Sequence, residues 1–507
     1  MINRDGFSKS LWQNEAQAEL AQRSMPGYTF DVVVIGAGIT GVTTALLLQQ
    51  SGKQCLLLEA HNAGFGTSSG TSAHLNTLLD TPYPDVISKF GKQKAMLAAQ
   101  GAAEAIAIIK GHVDKYAIDC DFAYKTGYLF SQNERESQQL TEISKALEVV
   151  GISAEWSDGI PVPLPFDNAI KVERQAQFHP TKYLSALLRQ YIADGGNYLD
   201  QTAVDHVDSD GAVQRVSAGK AIYQATDIVY ATHIPPGLNL LHLRCAPYRS
   251  YVLALKLARD KYPDGLAYDL KEPYHYFRTA IHDGRPLLLV GGNDHKTGHE
   301  AKAEHVFSEL EAYARKYYEV QAVAYRWSSQ YYIPADGLPY IGHLPGGGNH
   351  QFVATGYSGN GMIFGTLAGR ILCDLIVSGE SPYTTLLSPS RIKPVAGFSR
   401  FIRENADVLK HFVSDRISQQ SLTELSELAK GEGRVVKYQE KQVALYKDEY
   451  GKVYALHPVC PHAGCIVQWN SAEQSWDCPC HGARYAATGE LLNGPASRGL
   501  RHIGLDD

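Results

Sequence analysis

Near the C-terminal end of this 507-residue chain, four residues have the types and spacing to hold metal: Cys460-Pro461-His462, then fifteen residues, then Cys478-Pro479-Cys480-His481. A zinc finger places two cysteines in one loop and two histidines on a helix. Here each loop offers one thiolate and one imidazole. Two such loops can close so that both thiolates reach one iron and both imidazoles reach the other, a His₂Cys₂ 2Fe–2S centre. Zinc is the alternative for the same ligands. Four of the eight cysteines fall between Cys460 and Cys480. In a chain read as intracellular, such clustering points to metal before disulfides.

A second chemistry sits near the other end, in DVVVIGAGITGVTTALLLQQSGKQCLLLE from Asp31 to Glu59. Val32 to Ile35 has the β-branched, uninterrupted character of a buried parallel strand. It breaks at Gly36, and Gly36, Gly38 and Gly41 form G-x-G-x-x-G at the mouth of a helix from Ile39 to Gln50. Gly36 allows the tight turn, Gly38 lets a pyrophosphate approach, and Gly41 lets helix and strand pack closely. The phosphates would sit on the N–H groups of the helix start, Ile39 and Thr40 included. Gln54 to Leu58 is a second strand, and Glu59 at its end is placed to accept hydrogen bonds from an adenosine ribose. No second such strand–turn–helix follows, so electrons are not expected to arrive from NAD(P)H through an internal second fold.

These sites need several domains to position them, and the length allows two to four. Apolar residues make up 44 % and charged residues 20 %, and the net charge of −6 argues against a nucleic-acid surface. The N-terminus lacks an apolar stretch of signal-peptide length. Met362 to Val377 is the most membrane-like segment, but it is short and carries Arg370 and Asp374. No transmembrane segment and a cytoplasmic location are therefore expected.

Along the chain, residues 1–29 read as a polar arm anchored by Leu11-Trp12. His61 to Thr77 is a Gly/Ser/Thr-rich loop beside the cofactor, and His74 in it could hydrogen-bond or even be bonded to an isoalloxazine ring. Helical periodicity marks Gln93–Lys115, Glu134–Val149, Lys182–Ala193 and Ser308–Val320. Phe122–Ser131 reads as a strand pair, Ala203-Val204 as a strand start facing an adenine, and Asp227–Thr232 as a short buried strand. Tyr248–Gly292 alternates as an antiparallel sheet with an Asp283-Gly284 turn. Arg326–Gly342 reads as loop-rich, and Phe352–Val377 as strand, turn and long helix. Past a Pro-marked linker with a helix-like run from Phe398 to Ile417, short strands cover Arg434–Tyr438, Gln442–Lys447 and Val453–His457.

The order of motifs over residues 30–380 resembles the D-amino acid oxidase superfamily of FAD enzymes. The carrying pieces are Gly36 to Gly41, Glu59, the loop Gly66-Thr67-Ser68 to Ala73, the Tyr230-Ala231-Thr232 strand end, Ala335-Asp336-Gly337-Leu338-Pro339, and Thr355-Gly356-Tyr357-Ser358-Gly359-Asn360-Gly361. The resemblance implies FAD contacts at these positions and at His74, Val204 and Met362. It also implies that the helix opened by Gly356–Gly361 points at the flavin pyrimidine, where a helix N-terminus stabilises the anionic reduced ring. The implied reaction is hydride transfer from the carbon next to an amine onto the flavin, leaving an imine that water hydrolyses. Arg278, on the substrate sheet, could hold a carboxylate bidentately. Arg326 and Tyr331 are further candidates. For each, a surface cation or core aromatic is the bland alternative.

The last 85 or so residues resemble a Rieske 2Fe–2S domain, through the four ligands and through Gly464, Cys465, Gly482, Tyr485 and Gly494-Pro495-Ala496. The resemblance implies a Cys465–Cys480 disulfide tying the two cluster loops. It also implies a serine at 483 that hydrogen-bonds a cluster sulfur, where this chain has Ala483. Losing that donor lowers the potential towards the middle of the family's range of about −150 to +300 mV.

The expected fold is α/β plus β: a FAD-binding Rossmann-like domain with an antiparallel-sheet substrate domain, followed by a small all-β Rieske domain. The divisions are 1–29 arm, 30–380 FAD-dependent region, 381–420 linker with helix, and 421–507 Rieske domain. FAD-binding segments are expected at about 30–80, 175–240 and 330–380, and the substrate sheet at about 115–175 and 245–330. The expected function is oxidation of a small-molecule amine or amino acid at FAD, with electrons passed to the 2Fe–2S cluster and on to an external acceptor. A redox-sensing or docking protein with a weak or lost flavin site is the alternative. A flavin monooxygenase would need a Gly-Asp motif and an NAD(P)H-responsive site, and neither is found.

Overall fold

The computed structural model describes residues 6–13, 27–300, 303–392, 425–438 and 441–504. The helix expected from Phe398 to Ile417, with most of the 381–420 linker, lies outside the described residues.

Thr29–Ile35 lies at the heart of an eight-stranded sheet, parallel to Cys55–Leu58 on one side and Ala221–Tyr230 on the other. Asn197–Leu199 extends one edge, and Gln351–Thr355 and Tyr340–His343 the other. Val32, Val33 and Val34 are fully buried, as an unbroken apolar run requires of a strand covered on both faces. Helices Ile39–Gln50 and Gly361–Ser378 pack against each other on this sheet. A Cβ on Gly365 would stand 2.6 Å from Ile39 Cγ2, and one on Gly369 2.6 Å from Thr43 Cγ2, so glycine sets the closeness of that pair. Gly361–Ser378 has the length and apolarity of a membrane span, but most of it is buried in this core.

The second layer is a nine-stranded sheet ordered Val320–Pro334, Cys245–Leu257, Arg285–Lys296, Tyr276–His282, Leu266–Asp269, Ala123–Ser131, Asn168–Gln177, His74–Leu75, with Glu155–Trp156 paired to Asn168–Gln177 off this order. It is mixed: Leu266–Asp269 runs parallel to Ala123–Ser131, and the other pairings along this order are antiparallel. Helix Ala303–Tyr317 covers one face through Val306, Phe307 and Leu310.

Several local expectations change. Phe122–Ser131 is one strand, Ala123–Ser131. Asp227–Thr232 is the end of the longer strand Ala221–Tyr230. Ala203-Val204 is irregular, and the next strand starts at His206. The helix expected from Ser308 runs over Ala303–Tyr317. The largest correction is Arg326–Gly342. Instead of a loop, its first part is the end of a 15-residue strand paired with Cys245–Leu257 from Pro334 back to Val320. The alternation was hidden because both faces are buried and carry a mixture of aromatic and polar groups.

The C-terminal region has a three-stranded sheet (Gly433–Tyr438, Lys441–Lys447, Val453–Leu456) and a four-stranded sheet (Gln468–Asn470, Ser475–Asp477, Arg484–Ala486, Leu491–Asn493). Their shared core includes Leu456, Val467, Trp476 and Tyr485. This region is bound to the nine-stranded sheet by buried ionic groups. Arg249 Nε donates to Ser328 Oγ at 2.7 Å, and Glu473 Oε1 accepts from the Ser328 amide and hydroxyl and lies 3.9 Å from Arg249 Nη2. Behind them, Asp477 accepts from Arg484, Ser475 and Asn470. Burial alone would raise the Asp477 pKa, but Arg484 and Arg249 together hold it below the ordinary carboxylate value.

Candidate active site and metal centre

The loops Cys460–Cys465 and Cys478–Ala483 each close on themselves. The Cys460 amide donates to Cys465 O and the Gly464 amide to Cys460 O; the Cys478 amide donates to Ala483 O and the Gly482 amide to Cys478 O. Cys465 and Cys480 form the disulfide between the two loops. Of the three clustered sulfurs of Cys465, Cys478 and Cys480, this leaves Cys478 as a thiol. Cys460 and Cys478 interact directly. The Cys478 thiol lowers the Cys460 pKa to about 7 against the opposing effect of burial, and the Tyr485 hydroxyl, 3.0 Å from Cys460 Sγ, acts in the same direction. The rings of His462 and His481 lie 4.9 Å apart and nearly perpendicular. Their Nδ1 atoms are both buried without a hydrogen-bond partner. Burial lowers both imidazole pKa values, His481 to about 3, which keeps them in the neutral, ligating form. Two adjacent thiols and two orphaned imidazole nitrogens fit a His₂Cys₂ 2Fe–2S cluster.

The histidine end of this centre faces the rest of the chain. His462 Nε2 is 3.0 Å from Gly237 O. The Tyr332 hydroxyl donates to His481 O at 3.1 Å, and Gln330 Nε2 donates to Gly482 O at 2.9 Å. His242, which sequence reasoning missed, stacks edge-on to His462 at 4.7 Å. Gly482 has a positive φ of 77°, and a Cβ there would stand 2.5 Å from Pro247 Cβ. No side chain could occupy that position with the loop seated as it is.

The dinucleotide end fits its group by the same test. A Cβ on Gly36, at φ 103°, would meet Ala231 O at 2.6 Å, and one on Gly41 would overlap Gly36 O. The glycine turn is therefore as tight as a phosphate cradle demands. Glu59 Oε2 accepts from the Ala37 amide and Oε1 from the His61 amide; Ser68 Oγ accepts from the Ile39 amide. Thr40 Oγ1 lies 3.0 Å from the Tyr357 hydroxyl. Ala231 and Thr232 abut Gly36, Val204 packs at the edge of the same core, and Thr81 lies against Gly337.

A cavity of about 1010 Å³ opens from this region into the nine-stranded sheet. Its walls include Thr67, His74, Gly359, Asn360, Gly361 and Met362 from the expected cofactor set. His74 Nε2 is buried without a partner, and burial holds its pKa well below the ordinary value. Tyr331 lines the cavity, where its hydroxyl donates to Asp294 Oδ2 at 2.6 Å. Arg278 is placed differently: it is buried behind the Ser72–Ala73 turn and donates to both of their carbonyls. Arg326 is exposed, with its guanidinium 5.7 Å from the Phe307 ring centre. Sequence reasoning missed Asp80, Asn76, Asp294, Tyr268, Tyr274 and Tyr276, which all line the cavity. The one visible signal was an acid closing the apolar run Leu287 to Val290 after a glycine pair.

Residues 31–375 match the family described as FAD dependent oxidoreductase, and residues 418–503 match the Rieske [2Fe-2S] domain. The chain belongs to the FAD-dependent oxidoreductase family. It is an FAD enzyme of the D-amino acid oxidase type whose C-terminal Rieske domain carries a 2Fe–2S cluster. Among its relatives is the Rieske 2Fe-2S iron-sulfur protein YhfW of Bacillus subtilis, 33 % identical over 478 residues and covering 94 % of each chain. The gamma-glutamylputrescine oxidoreductase of Escherichia coli is 24 % identical over 69 % of this chain and 84 % of its own length. The solved glycine oxidase of Geobacillus kaustophilus superposes with a TM-score of 0.57 at 19 % identity, over 72 % of this chain and all of its own, which shows a shared fold.

Proposed function

We propose that this FAD-dependent oxidoreductase oxidises an amine or amino acid in the 1010 Å³ cavity and passes the electrons through its Rieske cluster to an external acceptor. The observation that carries this reading is the strand Val320–Pro334, whose alternate residues face opposite ways. Trp327 donates to Gly70 O in the cofactor loop, Ser329 packs on Gly70, and Tyr331 lines the cavity. Between them, Ser328 bonds Glu473, Gln330 bonds Gly482, and Tyr332 bonds His481. One strand thus separates the flavin side from the cluster side.

FAD, when bound, supplies the two-electron acceptor for the carbon next to nitrogen, and the cluster supplies one-electron transfer. The chain's own residues do the rest. Gly36, Gly38 and Gly41 would admit the pyrophosphate, Glu59 would accept from the ribose, and Gly66–His74 would help hold the ring. Cys460 and Cys478 would hold one iron, and His462 and His481 the other. The Rieske domain is seated on Pro247, Arg249 and Ser328.

The test is anaerobic reduction of the holoenzyme by a panel of amines and amino acids, following flavin absorbance and the cluster's EPR signal together. Bleaching of the flavin with growth of the reduced-cluster signal is expected. Bleaching with a cluster that stays oxidised would overturn the reading.

A further inference from the structure

We propose that the cavity takes an organic ammonium cation, held by Asp294 and Asp80 within a wall of tyrosines, in preference to a ligand recognised by its carboxylate. The proposal deepens, and rests on, the reading of this cavity as the substrate site.

The two acids come from distant parts of the chain and line one cavity, where the Asp294 charge acts on Asp80. Asp294 is raised from 3.8 to about 6 by burial, partly offset by the Ser250 and Tyr331 hydroxyls and by His275. Asp80 is open to the cavity, yet the surrounding protein raises it likewise to about 6; the Gly359 amide opposes this and the Asp294 charge adds to it. Among the described residues, the one basic side chain acting on either acid is His275, and its Nδ1 is already bonded to Asp269 Oδ2 at 2.9 Å. Asp294 Oδ1 is buried without a hydrogen-bond partner. The acids lining the cavity (Asp80, Asp85, Glu136, Asp269, Glu272 and Asp294) outnumber its bases Lys89, Arg135 and Lys271, and none of these bases acts on Asp80 or Asp294, so near neutral pH these two keep charge that a bound cation relieves.

The walls suit an organic cation better than a bare ion. Tyr268, Tyr274, Tyr276 and Tyr331 all line the same space, Tyr331 bonds Asp294 through its hydroxyl, and both acids raise the pKa values of Tyr274, Tyr276 and Tyr331. Aromatic faces next to carboxylates attract alkylated ammonium groups through the ring quadrupole as well as by charge. The backbone makes room for these rings. A Cβ on Gly291 would stand 2.0 Å from the Tyr276 ring, and one on Gly292 2.4 Å from Tyr274 O. The Gly291-Gly292 pair just before Asn293-Asp294 is thus what lets the Tyr276 ring and the Tyr274 backbone lie against this strand.

The basic groups that line the cavity lie on other segments. Arg135 is exposed on the helix Glu134–Val150, Lys89 is on the helix Tyr83–Phe90, and Lys271 stands 5.1 Å from the Tyr313 ring centre. Arg278, the residue best suited by type to grip a carboxylate, spends its donors on Ser72 O and Ala73 O.

The experiment is calorimetric titration of the oxidised holoenzyme with benzyltrimethylammonium, benzoate and calcium chloride, with flavin difference spectra recorded alongside. Saturable binding of the ammonium ion, with neither benzoate nor calcium competing, is expected. Asp294→Asn should weaken it about tenfold or more, as loss of a charge-assisted contact does, and Tyr274→Leu should weaken it less. Wild-type affinity should fall as pH drops through about 6, because Asp294 and Asp80, which share the cavity with Tyr274, Tyr276, Tyr331 and His275, then take up protons. That second arm needs no variant to fold. Tighter binding of benzoate, displacement by calcium, no binding at all, or a pH-independent affinity would overturn the proposal. Failure of every amine to reduce the flavin would instead strike the reading of the reaction, which the binding titration does not use.

Discussion

Tyr332 donates its hydroxyl hydrogen to the backbone carbonyl of His481 at 3.1 Å, and its ring lies edge-on to His233 at 4.7 Å. His233 in turn is 3.5 Å from Thr67 of the cofactor loop. Gln330, two residues earlier on the same strand face, makes a parallel link: its carbonyl accepts from Thr67 and its amide donates to Gly482. Tyr332→Phe deletes one buried hydrogen bond, worth about 1 kcal/mol, and leaves the cavity side of the strand untouched. In stopped-flow experiments, substrate reduction of the flavin should keep its rate, while appearance of the reduced-cluster signal should slow. Equal slowing of both would mean that Tyr332 matters only for folding.

The buried ionic contact between the domains makes a larger prediction. Arg249 and Glu473 are both fully buried at their side chains. Burial and the neighbouring Arg484 charge already lower the Arg249 pKa. Glu473→Ala strands that guanidinium and removes the acceptor for Ser328, so it should cost about 3–5 kcal/mol of stability. Thermal unfolding of the holoprotein measures this. A paired change, Arg249→Met with Glu473→Leu, should recover much of the loss, because the cost lies in the unpaired charge.

At the cluster, Ala483 is buried where the Rieske resemblance implies a serine, and Tyr485 remains as a hydroxyl beside Cys460. Donors to cluster sulfurs stabilise the electron-rich reduced state. Ala483→Ser should raise the midpoint potential by tens of millivolts, and Tyr485→Phe should lower it. Potentiometric titration monitored by EPR reads both. A shift of the same sign in the two variants would rule out hydrogen bonding as the cause.

The cavity acids also affect stability, with a definite sign. Asp294 has a pKa of about 6 in the folded chain against 3.8 ordinarily, so the folded state binds its proton more tightly than the unfolded state does. Its contribution is favourable at low pH and is lost as pH rises from about 4 to about 6, by at most about 3 kcal/mol. Asp294→Asn should therefore raise Tm above pH 6 and leave it nearly unchanged at pH 4 (both values approximate). An ammonium ligand should raise the wild-type Tm most where the acid is ionised. If the variant has a lower Tm across that range, the carboxylate is not the strained group described above.

The parts of this protein legible in its sequence are those whose chemistry is built from neighbours in the chain. Gly36 sits at φ 103° and a Cβ on Gly41 would overlap Gly36 O, so both demands are local to one turn. Cys460 with His462, and Cys478 with His481, are paired within single loops, so their spacing alone announces the centre. By contrast, a strand with two buried faces loses the polar–apolar alternation that identifies strands, and Arg326–Pro334 therefore reads as loop. Only tertiary packing makes it a partition, with Ser329, Gln330 and Tyr331 on the cavity wall and the side chains of Gln330 and Tyr332 bonded to Gly482 and His481. Packing likewise decides that Asp80 and Asp294 share one cavity, and that Arg278 satisfies backbone carbonyls instead of reaching a ligand. A side chain's type limits what it can do, but its partners across the sheet determine its surroundings and hence its charge state.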